Sequence, residues 1–177
     1  MIPRPLHRSA AGHVASERRL VNSREILLGF VVLLLGSLVY LFIRPAAGLP
    51  FLPDYFPQLS SSPPIASNLA QFFPAFAHTL GFGLLTAGVL ATGPLGLAAS
   101  VTAWALINLG FELGQHPSVS LWIVGHLTSE PGANRLMDSV RCYFQQGTWD
   151  LGDVWAILAG VGVGYLVALG TQGSRQP

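Results

Sequence analysis

Apolar residues fill four long runs of this chain, and polar residues mark the gaps between them. The runs cover residues 26–43, 69–92, 95–113 and 151–169. A helix needs roughly 20 apolar residues to cross the hydrocarbon core of a bilayer, and all four runs are of that order. The first run holds no charge. The second has His78 as its one ionisable side chain, the third carries Glu112 near its end, and the fourth carries Asp153 near its start. Gly93-Pro94 separates the second run from the third, a turn signal that makes the two helices an antiparallel hairpin. The predicted fold is all-α. It is a polytopic membrane bundle of about four transmembrane helices over residues 26–170, with a short interfacial helix in the second long loop. An Arg-rich tail at 1–25, expected to be disordered, precedes it, and a short tail at 171–177 follows.

Composition supports this solvent. Of 177 residues, 51% are hydrophobic and 10% are charged, against about 25% charged in a soluble domain. One cysteine, Cys142, excludes an intrachain disulfide framework and a Cys-based zinc site. The chain has no His-Glu-x-x-His pair, no Gly-x-Ser-x-Gly elbow and no phosphate-binding loop. No metal or cofactor is therefore expected. No basic stripe lies beyond the N-terminal tail, so nucleic acid is not expected as a partner. The expected partner is the lipid bilayer.

All nine basic residues are arginines. Arg4, Arg8, Arg18, Arg19 and Arg24 precede the first run and Arg175 follows the last, whereas the two long loops carry only Arg44, Arg135 and Arg141. The positive-inside rule places both termini in the cytoplasm and both long loops outside. An Arg-rich start, an apolar run and then Ala46-Ala47 also outline a secretory signal, but the run exceeds the roughly 7–15 residues of an h-region.

The first loop, residues 44–68, contains six prolines, which deny it regular structure. Its Phe51, Tyr55 and Phe56 suit the headgroup level. In the second loop, residues 121–127 are apolar but too short to cross, so they form a re-entrant or an interfacial turn. Residues 134–144 read as a helix. Leu136, Val140, Tyr143 and Phe144 fall on one face, and Arg135, Asp138 and Arg141 on the other. This pattern fits a helix on the membrane surface and equally a cap over the bundle.

Ionisable groups within spans cost roughly 2.5–3.5 kcal/mol each at the helix centre and tend to face the protein interior. Under the predicted topology His78, about 13 Å below the start of its span, lies in the outer half with Glu112 and Asp153. Asn108, Glu112 and Gln115 form one stripe at i, i+4, i+7 spacing. Asp153 shares a face with Ala156, Gly160 and Gly164, small residues that let helices approach closely. Pro74 removes one backbone bond a turn before His78. Each residue also has a plainer role. Asp150 and Asp153 suit the N-cap and first turn of a helix. Glu112 can snorkel from a helix end, His78 can be a hydrogen-bonded core residue, and Asn108 and Gln115 can tie helices together. Their common depth on three spans is what points to a shared ligand-binding site of His78, Asn108, Glu112, Gln115, Asp150 and Asp153.

Three short elements resemble the VanZ-like family of small bacterial membrane proteins. They are Phe76-Ala77-His78 with Phe82-Gly83-Leu84-Leu85, then Phe111-Glu112-Leu113-Gly114-Gln115, then Gly147-Thr148-Trp149-Asp150 with Asp153 and Gly160. The resemblance covers roughly residues 73–169. It implies an integral protein of the bacterial inner membrane, associated with the cell envelope. The chain departs from the family pattern at Gly147, where the family often has Arg, and at Ile157, where it often has Asn. Its segment between Gln115 and Asp150 is also longer. The resemblance thus implies a divergent member, and fold more than mechanism.

Three functions fit these residues. A binding protein would use the polar cluster on a lipid headgroup or cell-wall precursor at the outer leaflet. An intramembrane enzyme would use Glu112 or Asp153 as acid or base, with His78 as partner and a lipid-linked substrate. A structural or partner-binding bundle would use the same groups to pair helices.

Overall fold

The computed structural model describes residues 21–43, 64–90, 92–127 and 134–173, without the side chains of 40, 43, 64–70 and 171–173. Most of the Arg-rich tail, the proline-rich loop with Arg44, Phe51, Tyr55 and Phe56, and the end of the chain with Arg175 lie outside these residues. Every regular element among the described residues is a helix: α1 Ser23–Ile43, α2 Pro64–Val89, α3 Pro94–Gln115, α4 Pro117–His126, α5 Arg135–Gln146 and α6 Leu151–Gly173. Among the described residues, three segments are long and apolar enough to cross a membrane: Gln71–Val89 of α2, Pro94–Gln115 of α3 and Leu151–Gly170 of α6.

The expected hairpin is present. Thr92 closes the end of α2 through its amide and hydroxyl, both donating to the Ala87 carbonyl. Gly93 is the extended N-cap of α3 and Pro94 its first residue, where a missing N–H costs nothing. Pro74 does not break α2, which runs through it. Helix α2 begins five residues before the apolar run, because its first turns carry polar side chains that hydropathy discounts.

Helices α2, α3 and α6 pack on one another, and among the described residues α1 packs on α2 alone. The core joins Leu80, Leu84 and Ala87 of α2 to Leu97 and Val101 of α3 and Ala168 of α6. In lipid, helices associate through close packing rather than hydrophobic burial, so small residues gather at the contacts. Gly83 lies against Val101, Gly160 against Thr79 and the Phe76 carbonyl, and Gly164 against Val101 on its other side. The α1–α2 seam uses glycines seven residues apart on both helices. Gly29 meets Gly81 and Leu85, Gly36 meets Ala77, and Gly88 meets Ile26. The Asn22 amide closes this seam by donating to the Gly88 carbonyl at 2.8 Å. These contacts make α1 antiparallel to α2, α6 parallel to α2, and α3 antiparallel to α6.

Helix α4 follows α3 after a single extended residue, His116. Helix α5 starts at Asn134, whose side chain accepts from the amides of Leu136 and Met137, the expected N-cap chemistry. The two helices join through Ser120, whose hydroxyl donates to the Phe144 carbonyl at 2.6 Å. The apolar face of α5 is divided. Phe144 packs on Gly114 of α3, while Leu136 remains exposed.

The α1–α2 seam has no room for a side-chain carbon at Gly29, where an added Cβ would sit 2.7 Å from the Gly81 carbonyl oxygen. Gly29→Ala is expected to lose about 1–3 kcal/mol, the cost of overpacking. Gly162→Ala, with nothing within 4 Å, should be neutral or gain up to about 1 kcal/mol from helix propensity. Reversible unfolding in mixed micelles measures both.

Candidate functional site

The candidate residues occupy the end of the bundle where α3 finishes and α6 begins. Register fixes their relation. Val101 of α3 packs on Gly164 of α6. Glu112 lies eleven residues after Val101, and Asp153 eleven residues before Gly164. Eleven residues advance a helix about 16 Å and return it to within about 20° of the same face. Because α3 and α6 are antiparallel, both carboxylates stand at one height, each on the side of its helix that faces the α3–α6 seam. Both are half-buried.

Beneath them is a polar junction where three helices meet. Thr79 is fully buried. Its hydroxyl donates to the Ala75 carbonyl at 3.0 Å and accepts from the Asn108 amide at 3.0 Å. Gly160 leaves the space that Thr79 fills. Asn108 therefore ties α3 to α2. Its height is about 6 Å, four residues, below Glu112.

Gln115 and Asp150 serve comparable ties. The Gln115 amide donates to the Tyr143 hydroxyl at 2.7 Å, joining α3 to α5. Asp150 caps α6, accepting from the Gly152 amide at 2.8 Å, while its other oxygen accepts from the Gln71 amide of α2 at 2.7 Å. Aromatic rings surround this end: Phe111 and Tyr143 meet edge to face at 6.0 Å, and His116 and Trp149 at 5.9 Å. Among the described residues no three His, Cys, Asp or Glu side chains gather as metal ligands.

His78 stands apart from the seam. Ala77 faces α1 and Thr79 faces α3 and α6, and His78 projects between these directions on an exposed flank of α2. Its ring lies 5.7 Å from Phe82, which stacks on Trp104 at 4.6 Å. The structure thus groups Glu112 with Asp153 and leaves His78 beside them.

Three partners were not singled out by sequence: Thr79, Gln71 and Tyr143. Threonine in an apolar run bonds to its own backbone and gives no hydropathy signal. Tyr143 reads as part of the apolar face of α5. Gln71 carries a detectable signal, an uncharged amide in the first turns of an apolar run.

The Thr79–Asn108 bond is expected to be worth about 0.6–1.7 kcal/mol, as inter-helix hydrogen bonds in membranes are. A double-mutant cycle of Thr79→Val and Asn108→Leu, read by unfolding in mixed micelles, measures it. Additive losses would exclude the coupling.

Comparisons with protein-family models, with curated proteins and with solved structures find no match for this chain.

Proposed function

We propose that this chain is a divergent VanZ-like protein of the bacterial cytoplasmic membrane that binds a lipid or cell-wall-related ligand at the outer leaflet. The observation carrying this reading is the register of Glu112 and Asp153, two carboxylates at one height facing one seam. Asn108, Gln115 and Asp150 tie the surrounding helices together and frame the site. Glu112 and Asp153 are assigned to the ligand on their shared height and seam alone, and both also interact within the protein.

Two departures from the family pattern have local counterparts. An added Cβ at Gly147 would lie 2.6 Å from the Gln115 side chain. An arginine there would need Gln115 to move from Tyr143. Ile157 is fully buried, so an apolar contact fills the place of an amide. Both changes concern the frame of the site and spare its carboxylates.

In this reading α1 is a fourth span and is retained. Its 21 residues measure about 31 Å, close to the hydrocarbon thickness. Its seam with α2 also fills the space above Gly81 and Gly88. Both termini then face the cytoplasm, as the arginine distribution implies.

A second reading is an intramembrane acid–base enzyme acting on a lipid-linked substrate. The same register favours it, because two carboxylates across a seam suit paired acid and base roles.

Binding is tested by screening purified protein against lipids and lipid-linked cell-wall precursors. Glu112→Gln and Asp153→Asn are expected to weaken binding at least tenfold while stability holds. His78→Ala should leave it within about twofold. Loss of folded protein in both carboxylate variants would assign these groups to structure instead; turnover of a bound precursor would select the enzyme.

Topology has its own test in a Cys142→Ser background. Cysteine at Ser23 or Gly93 is expected to react with an impermeant maleimide only after permeabilisation. Cysteine at Ser139, exposed on the polar face of α5, should react in intact cells. Position 139 and position 93 labelling from one side would overturn the arrangement.

A further inference from the structure

Helix α4 is out of character for a cap exposed to water. Its sequence, Pro-Ser-Val-Ser-Leu-Trp-Ile-Val-Gly-His, has no charge except what His126 carries. Ser120 is buried, and Ile123 and Val124 are half-buried. The opposite side exposes Leu121 at 75% and Trp122 at 63%, with the small Ser118 between them and Gly125 a turn further on. A soluble cap places polar residues there.

This surface continues another. On α3, Ile107, Phe111 and Leu113 are exposed along a helix apolar and long enough to span a bilayer. One residue, His116, separates α3 from α4. The apolar surface therefore passes from a spanning helix to α4 without a polar gap longer than Gln115 to Ser118. Pro117 opens α4 and removes an amide that would have extended α3.

Length then restricts the arrangement. The ten residues of α4 measure about 15 Å, half of a hydrocarbon core of about 30 Å. The helix cannot cross. Its last turn pairs Trp122 with His126, ring centroids 4.5 Å apart, and the His126 Nδ1 lies 2.7 Å from the Trp122 carbonyl. Tryptophan with a polar neighbour suits the boundary between acyl chains and headgroups.

We propose that α4 is an interfacial helix, lying in that boundary with Leu121 and Trp122 inserted among the lipids. The partner is the bilayer surface itself. This depends on α3 spanning the membrane and not on any ligand at Glu112 and Asp153. Helix α4 then fixes the depth of the α3 end, since a one-residue link cannot let the two separate.

Site-directed spin labelling tests the placement. In a Cys142→Ser background, single cysteines replace Leu121, Gly125 or Ile107, and the labelled protein is reconstituted in phosphatidylcholine–phosphatidylglycerol vesicles. Positions 121 and 125 share the exposed face, so either reports if the other variant fails to fold. Collision with oxygen should exceed collision with a water-soluble nickel complex, at a depth of about 5–10 Å below the phosphates and shallower than at position 107. Dominant nickel collision would mean a water-exposed cap and overturn the proposal. Exclusion of both relaxants would mean cover by protein, and a depth equal to position 107 would mean a re-entrant segment. Either also overturns it.

Discussion

Lipid chains are as apolar as leucine, so spanning helices gain little from burying leucine against leucine. They gain from bringing backbones close enough for dense packing. Among the described residues, that requirement is met with glycine at each contact between the helices apolar enough to span. The α2–α3 contact uses Gly83, the α2–α6 contact Gly160, and the α3–α6 contact Gly164. The seam with α1 uses Gly29, Gly36, Gly81 and Gly88. The α3–α5 contact follows suit, with Phe144 on Gly114. Helix α2 is consequently lined with small residues on two sides, and among the described residues it packs on α1, α3 and α6 alike.

Close contacts also set register, and register makes the candidate site. A knob such as Val101 wedged between Gly83 and Gly164 leaves little freedom for α3 to slide on either neighbour. Glu112 and Asp153 then arrive at one height because each lies the same number of residues from that wedge. The polar ties reinforce the placement. Thr79–Asn108 holds the level just below the carboxylates, and Gln71–Asp150 holds the first turn of α6. A shift by one turn would break these bonds together, so the site's geometry is coupled to the bundle's packing.

The four long helices, α5, the Gly93-Pro94 turn and the small-residue face of Gly160 and Gly164 were legible in sequence, because hydropathy and residue size are local properties; α4 was not, since residues 121–127 read as a turn and the structure makes Pro117–His126 a helix. Spacing also placed Asn108, Glu112 and Gln115 on one stripe. It did not show that the stripe changes partner along its length, from α2 at Asn108 to α5 at Gln115. That depends on α5 folding back onto the end of α3, a tertiary fact. His78 illustrates the same limit. Depth alone grouped it with the carboxylates, yet direction is the deciding variable. One residue's rotation of 100° gives the buried place to Thr79 and the exposed flank to His78.

If the chain is a divergent VanZ-like protein, as proposed, Gly147 is where its frame departs while its carboxylates stay. The space an arginine would need there is filled by Gln115, and Gln115 is held by Tyr143 from α5. An arginine brings charge and several donors to this end; a glycine with an amide above it brings neither. In the proposed reading, glycine where the family often has arginine leaves this frame more acidic while keeping it packed. Arg141 is on the same side of the molecule, but its guanidinium lies 3.6 Å from the Asp138 carboxylate and reaches the Leu127 carbonyl. That arginine is committed to joining α5 to α4. Under the proposed function, a frame acidic in this way would attract hydroxyl- or amine-bearing groups more readily than bare phosphate. Selectivity would then follow from the frame, while the position of the frame follows from the glycine contacts beneath it.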